Sequence, residues 1–65
     1  MIIPIYSRVR FFGMERLREG LRVGDIGYII EDYGDGNYEV EFSNTDGTTR
    51  VQAVIKGSDL ELSKI

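Results

Sequence analysis

Gly24-Asp25-Ile26-Gly27-Tyr28-Ile29-Ile30-Glu31, the turn Gly34-Asp35-Gly36-Asn37, and Tyr38-Glu39-Val40-Glu41-Phe42 are the most informative part of this chain. Two short runs of β-branched and aromatic residues flank a glycine-rich turn, and the second run alternates apolar residues with acids. A tightly turned antiparallel hairpin reads this way, with one face buried and one face carboxylate. Asn44-Thr45-Asp46-Gly47 is a second turn, with glycine where a positive φ is needed.

The flanking segments extend the hairpin into a small all-β domain. Tyr6 to Phe12 fits a first strand, with Ser7, Val9 and Phe11 on one face and Tyr6, Arg8, Arg10 and Phe12 on the other. Pro4 just before it suits a strand entry. Residues 13–24 read as a long structured loop. Met14, Leu17 and Leu21 have helical spacing, but Gly20 and Gly24 argue against a full helix, so Leu17 and Leu21 are expected to cap the core. The second strand is expected over Gly27 to Tyr33. The third, Tyr38 to Ser43, buries Tyr38, Val40 and Phe42 and exposes Glu39 and Glu41. The fourth, Thr48 to Ile55, places Val51, Ala53 and Ile55 together. Gly57-Ser58-Asp59-Leu60 reads as one helical turn before a last strand, Glu61 to Ile65. Five strands, a long first loop and a one-turn helix before the last strand describe a five-stranded SH3-like barrel. Closing a short sheet on itself also removes its exposed edges. A plain three-stranded curled sheet is the alternative.

Sixty-five residues allow one domain, 1–65, and no second core. A chain of this size buries only about 60% of the surface it exposes when unfolded. With no cysteine and no histidine, neither a disulfide nor a thiolate or imidazole metal site is possible. The apolar start, Met1 to Tyr6, is far too short for a signal peptide, and no run approaches a membrane span. A soluble cytoplasmic protein with no membrane role is the expectation. Exposed apolar termini (Ile2, Ile3, Ile5, Ile65) make homodimerisation a further expectation.

The net charge of −3 conceals an asymmetry. Residues 1–24 hold five arginines against two acids, +3, and residues 25–65 hold nine acids against three bases, −6. Such polarity steers a charged partner. An acidic chain is a poor non-specific nucleic-acid binder, because that mode needs basic charge to displace counterions.

Several blocks together resemble a known family. Gly20-Leu21, Gly24-Asp25-Ile26-Gly27, Ile29-Ile30-Glu31, Tyr38-Glu39-Val40-Glu41-Phe42, Asp46-Gly47-Thr48 and Asp59-Leu60 are similar, over residues 6–62, to short bacterial proteins of unknown function. That family is related in pattern to SH3-like, KOW and Tudor-type barrels. Where its members usually carry a small residue such as threonine this chain has Tyr28, and its first loop is richer in arginine. Members often look like the small partner in toxin–antitoxin or toxin–immunity pairs, so the resemblance implies an immunity or antitoxin role.

Composition argues against catalysis. The seven serines and threonines have no histidine base, and a carboxylate pair such as Glu39 and Glu41 serves glycoside chemistry only in a deep cleft. No enzyme activity and no cofactor are expected. A calcium loop starting at Asp35 fails because Val40 stands where glycine is required, and turn chemistry accounts for the same acids. No Gly-Lys-Ser or Gly-Lys-Thr follows any glycine, so no phosphate loop is present.

The candidate binding residues are Tyr28, Glu31, Asp32, Tyr33, Asp35, Glu39 and Glu41. Strict alternation sets Tyr28 and Tyr33 on opposite faces of the second strand, so at least one is exposed. Of the adjacent Ile29 and Ile30 only one can point inward. Exposed aromatics beside charge are typical of binding hot spots. The acids would neutralise a basic surface such as a nuclease cleft, making a toxin with a basic surface the expected partner. Two other readings stand beside this one. The first is a KOW- or Tudor-like nucleic-acid or ribosome-associated module using Arg8, Arg10, Arg16, Arg18 and Arg22. The second is an accessory subunit docked on a larger enzyme.

Overall fold

A computed structural model describes residues 2–64. Five strands follow one another along the chain: β1 Arg8–Phe11, β2 Ile26–Asp32, β3 Asn37–Ser43, β4 Thr49–Lys56 and β5 Leu60–Leu62. All pair antiparallel in one sheet of order β4-β3-β2-β1-β5. This is the all-β, five-stranded arrangement expected, with a long β1–β2 loop and one short helical turn, Gly57–Asp59, before the last strand.

Period-two patterning builds the core. Val9, Phe11, Ile29, Tyr38, Val40, Phe42, Ala53, Ile55 and Leu60 turn inward, and Val51 packs against them. Phe11 and Phe42 meet edge to face, ring centres 6.3 Å apart, as aromatic quadrupoles prefer. Gly27 lies buried against β3. A Cβ there would stand 2.7 Å from the Glu41 carbonyl oxygen and 2.8 Å from Phe42 and Val40, so glycine is required by space. At Gly47 it is required by conformation, with φ +89° in the β3–β4 turn.

The first strand begins later than the sequence pattern indicates. Ser7 N–H donates to the Pro4 carbonyl at 3.1 Å, and Tyr6 inside that turn takes φ +71°, which breaks extended structure before Arg8. The turn folds Ile3 back into the core, fully buried, where its N–H donates to the Tyr38 hydroxyl at 3.1 Å. Ile3 is therefore not part of an exposed apolar terminus. Ile2 and Ile5 are exposed, and Ile65 lies outside the described residues. The last strand, expected over Glu61 to Ile65, runs Leu60–Leu62, and Ser63 and Lys64 are not extended strand.

The β1–β2 loop divides its two leucines. Leu21 is buried, whereas Leu17 is 66% exposed and does not cap the core. Leu17 begins a three-residue 3-10 turn, Leu17–Glu19, ended by Gly20 in the left-handed region. The chain reverses at Gly20 so that Leu21 bridges back to Arg16, and Leu17 is left on the outside of that turn.

Arginines tie this loop to β4. Arg16 donates to the Val54 carbonyl at 3.4 Å, and Arg50 donates to the Gly20 carbonyl at 2.7 Å and to Asp25 at 2.7 Å. The Gly57 N–H to Gly36 carbonyl bond of 2.8 Å fixes which β4 residues bond β3. Val51, Ala53 and Ile55 do; Gln52, Val54 and Lys56 turn their N–H and C=O groups to the sheet edge. The Arg16 contact thus satisfies one edge carbonyl and blunts an otherwise open strand.

Candidate functional site

The face opposite the core is set by one irregularity. Ile29 opposes Val40, but the next residue of β3, Glu39, opposes Glu31, so Ile30 is an extra residue. A bulge shifts the alternation of everything after it. Ile29 takes the inward position and is fully buried, and Ile30 is the bulged residue. Tyr28 and Tyr33 consequently share the outer face, 40% and 50% exposed, instead of lying on opposite sides of the strand. Glu31, Glu39 and Glu41 stand on that same face, since Tyr28 opposes Glu41 and Glu31 opposes Glu39.

Within this group Tyr33 and Glu39 are joined. The Tyr33 hydroxyl donates to Glu39 Oε1 at 2.5 Å. This bond holds the phenol pKa above its ordinary value, helped by partial desolvation and by the negative charge of Glu39 and Glu31. The ring is thereby fixed at the hairpin end of the face.

Asp32 and Asp35 do not belong to the patch. Asp32 Oδ1 accepts the Gly34 N–H at 2.9 Å, and Asp35 Oδ1 accepts the Asn37 N–H at 3.0 Å. Both carboxylates serve the turn, as Asx side chains do. Asp46 does the same in the next turn, where the Thr48 hydroxyl and N–H hold its pKa below the usual carboxylate range. Among the described residues no three acidic side chains are gathered to hold a metal ion.

A neighbouring groove escaped the sequence reading. Arg8, Tyr28 and Glu41 form one row across β1, β2 and β3. Between the end of the β1–β2 loop and the β3–β4 turn this row floors an open groove of about 670 Å³, walled by Asp25, Ile26 and Asn44. Only strand register brings Arg8 beside Tyr28, and no local motif announces register. A second depression, lined by Asp35, Asn37, Lys56 and Ser58, is turn backbone and polar side chains without an aromatic.

The five arginines of residues 1–24 are mostly engaged. Arg8 donates to the Ser63 hydroxyl at 3.0 Å, Arg10 pairs with Glu61, and Arg16 lies 3.7 Å from Glu19. Arg18 and Arg22 alone of the five have no side-chain partner among the described residues.

Residues 14–62 match a family described as a domain of unknown function, DUF4926. The chain belongs to this family. The match covers the bulged β2, the acidic β3 and the β3–β4 turn of this DUF4926 domain and begins after β1. No curated protein and no solved structure matches the chain. No helix among the described residues is long and apolar enough to cross a membrane.

Proposed function

We propose that this DUF4926 chain is a protein-binding module acting without chemistry, an immunity or antitoxin protein that occludes the active site of a cognate bacterial toxin. One observation carries the reading: the bulge at Ile30 gathers two half-exposed tyrosines and three glutamates on one rigid sheet face. Tyrosine gives a large contact area with few rotatable bonds, and carboxylates around it steer a basic partner. Tyr33, held by Glu39, is the anchor; Glu31, Glu39 and Glu41 supply the field. The resemblance of the sequence blocks to small partners of toxins supports the class of partner. With neither histidine nor cysteine in the chain, blockade is steric and electrostatic.

The test is capture of the tagged protein from its native lysate, with bound proteins identified by mass spectrometry. One stoichiometric partner, toxic when expressed alone and harmless when co-expressed, is the expected result. Ribosomal components or RNA lost on nuclease treatment would overturn it in favour of a KOW-like module. Constant co-purification with a non-toxic enzyme would make the chain an accessory subunit instead.

A further inference from the structure

We propose that the groove floored by Tyr28 and Glu41 receives a single lysine or arginine side chain of the protein partner, with Glu41 as counter-charge and the Tyr28 ring as wall. This rests on the protein-binding reading above and names what that face recognises.

Asp25 and Glu41 are the two acids that line the groove. Asp25, on the groove wall, already accepts Arg50 at 2.7 Å and the Arg22 N–H at 2.8 Å. Glu39 accepts the Tyr33 hydroxyl, Glu61 pairs with Arg10, and Asp32, Asp35 and Asp46 serve turns. Glu41 is partly buried and has no hydrogen bond or ion pair among the described residues. It is the carboxylate left to bind something in this groove. Arg8 does not supply that charge, because its guanidinium is drawn to Ser63 beside β5, away from β3.

The surroundings choose a basic side chain over a bare ion. A divalent metal needs several oxygen ligands, and no such cluster exists among the described residues. An ammonium or guanidinium group needs one carboxylate and gains from an aromatic face beside it. Tyr28 lies directly across the strand pair from Glu41, and Ile26 offers apolar surface to a methylene stem. The groove is open at its top, so a side chain enters it from a docked surface.

The inference is testable before any partner is known, by titrating the whole protein with n-butylammonium and n-butylguanidinium while following backbone amide NMR shifts. Saturable shifts centred on Tyr28, Glu41, Ser43 and Asn44 are expected. Glu41→Gln should weaken them by about tenfold, the scale of one charge-assisted contact, and Tyr28→Ala should do likewise while the spectrum keeps its dispersion. Butyrate should leave these amides unmoved. Non-saturating shifts, saturation around Tyr33 and Glu39 instead, or butyrate binding beside Arg8 would each overturn the proposal. The protein-binding reading is judged separately, by capture.

Discussion

Ile3 and Tyr33 show how single residues act through partners far away in sequence. Ile3 is fully buried although its neighbour Ile2 is 82% exposed. Ile3→Ala is therefore expected to cost about 2–5 kcal/mol by the loss of packed methyl groups, whereas Ile2→Ala should change stability by less than about 0.5 kcal/mol. Urea unfolding of the two variants measures the difference. Tyr33 gives a pH prediction. Its folded pKa is raised above 10.0, first by its bond to Glu39. The stability this bond contributes is complete below the unfolded value and is lost as pH rises through the folded one. Glu39→Ala should return the Tyr33 titration toward 10.0, read as tyrosinate absorbance against pH.

At the scale of elements, the bulge in β2 and the edge of β4 matter most. Deleting Ile30 would remove the extra residue and leave a regular β2–β3 ladder in which Ile29 still opposes Val40 and Glu31 still opposes Glu39, so Glu31 and Tyr33 would keep the outer face. A folded deletion variant with Tyr33 still exposed, read by circular dichroism and tyrosinate absorbance, is the expected result; burial of Tyr33 or loss of cooperative unfolding would contradict the register. In β4 the amides of Val51, Ala53 and Ile55 bond β3, while those of Gln52 and Val54 face the edge. Hydrogen exchange should alternate along this strand, slow at the first set and fast at the second.

These elements also show how much was legible in the sequence. Alternation in Val9 and Phe11, in Tyr38, Val40 and Phe42, and in Ala53 and Ile55 named the core faces, because each strand keeps period two. The same rule failed between Tyr28 and Tyr33, because a bulge resets it. The adjacent pair Ile29-Ile30 was the one local sign of that bulge. In sequence Asp32 and Asp35 suit both a turn and an acidic patch, and hydrogen-bond geometry assigns them to the turn. Leu17 and Ile3 were misplaced because a 3-10 turn and a turn with Tyr6 at positive φ have no strong local signal. The Arg8–Tyr28–Glu41 row depends wholly on register between strands.

Across the whole molecule, the charge asymmetry is only partly available to partners. Arg8, Arg10 and Arg16 are engaged within the chain, so much of the basic charge of residues 1–24 is internal support, while Glu31 and Glu41 remain unpaired among the described residues on the outer face. Association through that face should slow as salt rises, since screening shortens the reach of its field. The most direct measurement is side-by-side capture from native lysate by the wild type, by Glu39→Lys/Glu41→Lys, and by Arg18→Glu/Arg22→Glu. The account predicts that the same stoichiometric protein is retained by the wild type and the arginine variant and lost by the glutamate variant. Retention by the glutamate variant with loss by the arginine variant would place the binding surface on the first loop and contradict the account.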